Sequence, residues 1–90
     1  MHKIYFSPEA KKDFHRLPKN IQSRIKKKLE FYASAEKPLS FAKSLINLPP
    51  ATHRFRAGDY RMAFYLSESK KLSGIFITRI RHRREVYNTK

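Results

Sequence analysis

Between Tyr60 and Leu66 the chain alternates strictly, with Tyr60, Met62, Phe64 and Leu66 on one side and Arg61, Ala63 and Tyr65 on the other. A period of two is the mark of a half-buried strand. Gly58-Asp59 stands directly before it, preceded by the strand-like stretch His53 to Ala57. Glycine in first position suits a two-residue type II′ hairpin loop. Such a loop sets the register, with Ala57 opposite Tyr60 and Arg56 opposite Arg61. Arg54, Arg56 and Arg61 then share one sheet face, while Phe55, Tyr60, Met62 and Phe64 share the other. Ser67 to Lys71 is read as the next reversal and Leu72 to Arg81 as a further strand.

The first half has a different period. His2 to Phe6 reads as a short strand, and Ser7-Pro8-Glu9 supplies an N-cap, a proline at the first helical position and an early acid. Ala10, Phe14 and Leu17 follow at helical spacing, and Pro18 ends this helix or opens the next. Ile21, Ile25, Leu29 and Tyr32 form the apolar stripe of a second helix, whose other side carries Arg24, Lys26, Lys27 and Lys28. Three prolines interrupt the segment 34–52, where Phe41, Leu45 and Leu48 suggest a short helix or turn at the core edge. The order strand, helix, helix, three strands predicts a small α+β domain. Its N-terminal strand and two helices pack on one face of a mainly antiparallel sheet.

Ninety residues fit one domain, residues 1–90. The chain carries 21 Lys plus Arg against 7 Asp plus Glu, a net charge of +14, and no cysteine. That excess exceeds what solubility needs and predicts a polyanionic partner, nucleic acid or an acidic protein. The lack of cysteine excludes a disulfide framework and thiolate chemistry, and fits a reducing, cytoplasmic setting. Neither a secretory signal nor a membrane partner is expected, because no run approaches the roughly 18 apolar residues of a membrane span.

The chemistry points to the arginines. Arg56 directly opposite Arg61 destabilises a strand pair by up to ~1 kcal/mol. A bound phosphate or carboxylate accounts for that cost, since guanidinium forks grip anion oxygens bidentately. The last strand runs into Arg79, Arg81, His82, Arg83 and Arg84, with Tyr87 just beyond. Basic residues beside aromatics suit RNA, whose bases stack on rings and guanidinium planes. No carboxylate cluster suggests a metal site.

Arg54-Phe55-Arg56-Ala57-Gly58-Asp59-Tyr60-Arg61, followed by Ile80-Arg81-His82-Arg83-Arg84-Glu85-Val86-Tyr87, resembles the RelE/ParE toxins of type II toxin–antitoxin modules. The opening Phe6-Ser7-Pro8-Glu9-Ala10-Lys11-Lys12-Asp13-Phe14 is similar to that family's first strand and helix, so the likeness spans nearly the whole chain. It implies a sheet of about four antiparallel strands, helices on one face and a groove on the other. It also implies a cognate acidic antitoxin in a hetero-oligomer.

For the RelE-like branch, which the RNA-like C-terminus favours, the resemblance implies growth arrest through inhibition of translation. The toxin acts on the ribosome as a metal-independent endoribonuclease (an mRNA interferase) without cofactor. The 2′-hydroxyl attacks the adjacent phosphorus, and basic side chains stabilise the transition state. Arg54 and Arg56 fall at the second-strand basic positions, and Arg61 at a phosphate-gripping arginine. Arg83 matches the arginine that protonates the leaving oxygen, with Arg81 as a competing alignment, and Tyr87 matches a base-stacking tyrosine. Arg81, His82, Arg84, Lys26 and Lys27 complete the candidate RNA contacts.

One departure stands out: RNA-cleaving relatives carry lysines where this chain has Arg54 and Arg56, and arginine is a poor general base. A base would be His82, His53 or a ribosomal group. Alternation turns His53 to the core, and puts His82 opposite Arg83 unless the strand bulges. Two other readings stay open: a ParE-like inhibitor of DNA gyrase without catalysis, and a non-toxic RNA-binding module.

Overall fold

The computed structural model describes residues 2–68 and 73–84. The elements are β1 (Ile4–Phe6), α1 (Pro8–His15), α2 (Lys19–Ser34), a 3₁₀ turn (Pro38–Phe41), β2 (Lys43–Ser44), β3 (His53–Ala57), β4 (Tyr60–Glu68) and β5 (Ser73–His82). They build a five-stranded sheet in the order β1-β5-β4-β3-β2. β1 runs parallel to β5, and the remaining pairs are antiparallel. The predicted α+β order therefore holds, with the two-residue β2 added at the far edge. The second reversal falls after Glu68, and the rest of Ser67 to Lys71 lies outside the described residues.

The hairpin forms as expected. Gly58 has φ +62, Ala57 pairs with Tyr60 and Arg56 with Arg61. The apolar stripe of α2 packs on the face that carries Phe55, Met62 and Phe64, and Ile25 and all three of these are fully buried. Tyr32 stacks on Phe55 with ring centroids 4.1 Å apart, and Phe55 stacks on Phe64 at 4.0 Å. The Tyr32 hydroxyl donates to the Arg56 carbonyl at 2.8 Å, which ties α2 to β3. In α1, the Ser7 hydroxyl accepts from the Ala10 N–H, as an N-cap does.

The segment 34–52 departs from the expectation. Phe41 ends the 3₁₀ turn, but Leu45 and Leu48 are not on the helix side. With Ala51 they pack on Ala63, which points away from the helices, and form a second, smaller apolar cluster. Residues 45–51 thus strap the middle of the helix-free face.

A bulge interrupts the β4–β5 ladder. Ala63 pairs with Arg79 but Phe64 pairs with Ile77, so Thr78 is the extra residue. It shifts the alternation of β5: Ile75, Ile77 and Ile80 all face the core, although 77 and 80 differ by three. Beyond this bulge β1 no longer covers the edge of β5, and α1 takes over. Asp13, buried on α1, accepts from the Ile80 N–H at 2.9 Å and from Arg79 Nε at 2.8 Å through Oδ2, while Oδ1 accepts from Arg79 Nη2 at 3.1 Å. Burial pushes the Asp13 carboxyl up, but the bonds from Arg79 and Ile80, with the charges of Arg79 and Arg81, outweigh it. The net result lies below the usual carboxylate range.

Candidate anion-binding site

Arginines gather at the hairpin because its register leaves them nowhere else to go. Arg54 and Arg56 project from β3 on the side opposite Phe55, and Arg61 projects from β4 opposite Met62. Directly opposed residues place their Cβ atoms about 4.5–5.5 Å apart, so Arg56 and Arg61 are close neighbours. Both guanidinium groups reach the Gly58 carbonyl, Arg56 through Nε at 3.2 Å and Arg61 through Nη1 at 3.0 Å. A second bond from Arg61 Nη1 goes to the Tyr60 carbonyl at 3.2 Å. The turn thereby holds two like charges side by side and leaves the other donors of each fork for a ligand.

Arg61 records that crowding. Burial lowers its pKa first, then the positive charges of Arg56, Arg54 and Arg83, with Asp59 opposing them. Its guanidinium stays protonated at any working pH, as arginine does. An anion seated here would relieve the repulsion.

Arg81 and Arg83, the two competing alignments, are placed differently. Arg81 pairs with Arg61 in strand register. Its charge nonetheless acts on Asp13, and it lines a neighbouring concavity with Asp13, Arg16 and Tyr60. Arg83 follows the strand in a turn and bends back to the hairpin. Its N–H donates to the Asp59 carbonyl at 2.7 Å, and its Nε lies 3.7 Å from the Asp59 carboxylate. The electrostatic cluster is thus Arg54, Arg56, Arg61 and Arg83.

A concavity of about 350 Å³ opens beside this cluster, lined by Arg54, Arg56, Arg61, Lys28 and Lys43 with Tyr32 and Phe41 as an aromatic wall. Arg24 also faces the turn, since a Cβ on Gly58 would come within 3.2 Å of its guanidinium. From α2 it is therefore Arg24 and Lys28 that reach the hairpin. Lys26 and Lys27 are exposed and do not line the concavity. Lys43 carried no signal in the sequence, because its placement depends on the two-residue β2.

Neither candidate histidine shares the arginine face. His53 lies at the edge of the core with its ring centroid 6.0 Å from that of Phe64, and its Nδ1 is 2.9 Å from the Thr52 hydroxyl. His82 pairs with Tyr60 on the core side, contacts that ring edge-on, and takes the Arg84 N–H on Nδ1. The strand does bulge, but at Thr78, and that bulge turns His82 inward. Arg84 is exposed beyond the strand end, while Tyr87 lies outside the described residues. Among the described residues no three His, Asp or Glu side chains converge as a metal ion would need. No helix among them is long and apolar enough to cross a membrane.

The family model described as the ParE toxin of type II toxin–antitoxin systems, parDE, matches residues 4–87. The chain belongs to this toxin family. Its fold is similar to solved chains of three toxin–antitoxin complexes. For RelBE2 from Mycobacterium tuberculosis the TM-score is 0.69 at 26% identity, covering 93% of each chain. For the archaeal RelE–RelB complex from Pyrococcus horikoshii OT3 it is 0.68 at 20% identity, covering 94% of this chain and 98% of that one. For RelB–RelE from Methanococcus jannaschii it is 0.65 at 22%, covering 93% and 95%. Comparison with curated proteins gives no significant match. The RelE/ParE resemblance of the sequence and the predicted fold class are both confirmed by these matches. What the arginines of this ParE-family toxin act on is a separate question.

Proposed function

We propose that this chain inhibits translation by cleaving mRNA on the ribosome, and that an acidic antitoxin holds it in check. The observation that carries the first part is the cluster of Arg54, Arg56, Arg61 and Arg83 around one turn, positioned by the Gly58 carbonyl. In the proposed reaction the 2′-oxygen attacks the adjacent phosphorus and the bond to the 5′-oxygen breaks, leaving a 2′,3′-cyclic phosphate and a 5′-hydroxyl. Negative charge on the equatorial oxygens rises in the transition state, and preorganised guanidinium donors stabilise it there. Arg61, held at two carbonyls, grips the phosphate. Arg56 and Arg54 carry the charge on the β3 side, and Arg83 donates a hydrogen bond to the leaving 5′-oxygen, which takes its proton from water. Tyr87 stacks on a base. The proton of the 2′-hydroxyl passes to a ribosomal group, because His53 and His82 point away from the arginines.

A second reading has its own support. The family model that matches is described as the ParE toxin, and an arginine face without a histidine is equally suited to gripping a protein. In that reading the chain poisons DNA gyrase without catalysis. Induction of the chain followed by labelled leucine and thymidine incorporation separates the two. Protein synthesis should fall first, with cuts mapped by primer extension on translated mRNA. Loss of DNA supercoiling while translation continues would replace the first reading by the second.

The antitoxin follows from charge and from the neighbours, which are solved as RelB–RelE complexes. A net charge of +14 accelerates association with an acidic protein, while apolar anchors set the affinity. The association rate should fall as salt rises, with little change in dissociation. A rate indifferent to salt would mean that the partner does not read the basic surface.

A further inference from the structure

At the far end of the helix-free face, Tyr5, Phe76 and Tyr65 stand in one row across β1, β5 and β4, paired residue for residue. Tyr5 and Phe76 stack with centroids 4.7 Å apart at 17°, and Tyr65 and Phe76 at 5.2 Å and 7°. All three rings are half-exposed on a side of the sheet that no helix of the described residues covers. They floor a concavity of about 540 Å³ between Ser7 and Glu9 at the start of α1 and the strap residues Leu48 to Pro50. That volume falls within the range of small-molecule sites and suits a base with its sugar.

We propose that this row is a stacking site for a nucleobase of the single-stranded RNA whose phosphate the arginine cluster grips. The inference rests on the RNA reading above and adds a second contact to it. Three features carry it. First, the row lies on the same sheet face as Arg61. Four positions of β4 separate Arg61 from Tyr65, about 13 Å at strand spacing, with the strap on Ala63 between them, so one extended strand of RNA reaches both by crossing the strap. Second, the charges are divided as a nucleotide divides them. The cluster of cations lies at the hairpin for phosphate. In the aromatic concavity the lining cation, Arg79, is already forked to Asp13, and the acid, Glu9, repels phosphate but accepts a hydrogen bond from the amino group of a base. Third, among the described residues β1 is the sheet edge, so the ring column ends at Tyr5, whose outer face has no further strand beside it. Open sheets that read single strands use this chemistry, with two or three bases stacked on aromatic residues of the strands. An acidic peptide fits less well, because Glu9 opposes it.

The test uses a six-nucleotide 2′-O-methyl RNA, which cannot be cleaved, with 2-aminopurine placed at each position in turn. The wild-type chain should quench the probe most strongly at a position removed from the arginine contact. Tyr5→Leu keeps an apolar side chain but removes the open ring face at the end of the column. It should abolish that quench and weaken binding about 10-fold, as expected for one lost base stack. Tyr65→Leu, at the other end of the column, provides the same reading should Tyr5→Leu fail to fold. Arg61→Ala should weaken binding and flatten its salt dependence, yet keep the quench at saturating protein. If both leucine variants bind and quench as wild type does, the stacking site is overturned and the arginine reading stands. If the leucine variants lose affinity for the antitoxin but not for RNA, the row is a protein interface and the proposal is wrong. If the wild type binds no strand at any salt concentration, the RNA reading falls and takes this inference with it.

Discussion

Arg61 and Arg79 lie on adjacent strands of one sheet, yet they belong to opposite economies of charge. Arg79 sits opposite Ala63, two residues along β4 from Arg61. It meets a buried carboxylate in a two-point fork, with side-chain exposures of 30% for Arg79 and 9% for Asp13. Arg61 meets Arg56 directly across the strand pair and feels Arg54 and Arg83 as well. In the first environment the ion pair completes the fold, because Asp13 also satisfies the strand-edge N–H of Ile80. In the second the fold leaves an excess of positive charge, which the exposed Asp59 carboxylate offsets only in part. Charge count alone would treat the two arginines alike. The supply of a carboxylate distinguishes a structural arginine from one poised for a ligand.

The largest expected effect is on the side with that excess. Arg61→Ala should reduce mRNA cleavage by about 10²–10³-fold, the usual cost of removing one preorganised transition-state donor. The melting temperature should stay level or rise, since the variant loses a repelled cation and keeps Met62 and Phe64 in place. Primer extension on translated mRNA and a thermal melt check the two halves. Full activity in the folded variant would take Arg61 out of the site.

The matching change at Asp13 should do the reverse. Asp13→Ala strands the Arg79 guanidinium and the Ile80 N–H together, a loss of about 3 kcal/mol. At roughly 4–8 °C per kcal/mol for a domain of this size, the melting point falls by about 12–24 °C. RNA binding by the protein that remains folded, measured at low temperature, should be unchanged. A small shift in melting would mean that solvent replaces the pair cheaply, and that Arg79 resembles Arg61 after all.

This contrast was only half legible in the sequence. The hairpin register was, because Gly58-Asp59 and a period of two admit one pairing, and that pairing alone sets Arg54, Arg56 and Arg61 on one face. The stripe of α2 was legible for the same reason. Asp13 was not singled out, although it stands with Ala10 and Phe14 on the inner face of α1, where a carboxylate requires a buried partner. Its partner is 66 residues away, and local spacing is silent on such contacts. The Thr78 bulge was equally hidden, and with it the inward turn of His82. Segment 45–51 was misplaced because its apolar spacing says that it covers something, but not which face.

A pH titration tests the comparison further, since the Arg79 and Ile80 bonds hold the Asp13 carboxyl below its ordinary range. The carboxyl has a folded pKa below its ordinary 3.8, so its contribution is fully present above about pH 4. It is lost as pH falls from there through the folded value. The wild type should therefore lose stability more steeply than Asp13→Asn below about pH 4, and the two curves should run parallel between pH 5 and 8. Urea midpoints across this range give the measurement. Parallel curves down to pH 2 would remove the ion pair from the account of stability.

The smallest effect returns to the arginines and concerns stability alone. Opposed like charges cost a strand pair roughly 0.2–1 kcal/mol, and both Arg56 and Arg61 are anchored to the same Gly58 carbonyl. Arg56→Gln removes one charge and keeps a long polar chain on an exposed position. The bond lost from Nε to the Gly58 carbonyl is exposed to water and offsets little of the gain. The variant should therefore be more stable than wild type by up to ~1 kcal/mol at low salt, and the advantage should shrink as salt screens the repulsion. Arg79→Gln, measured beside it, should be less stable at every salt concentration, because it leaves the Asp13 carboxylate without its fork. If Arg56→Gln is also destabilised, the arginine pair is held by contacts that outweigh its repulsion. Repulsion between the arginines would then give this face no energetic reason to take up an anion.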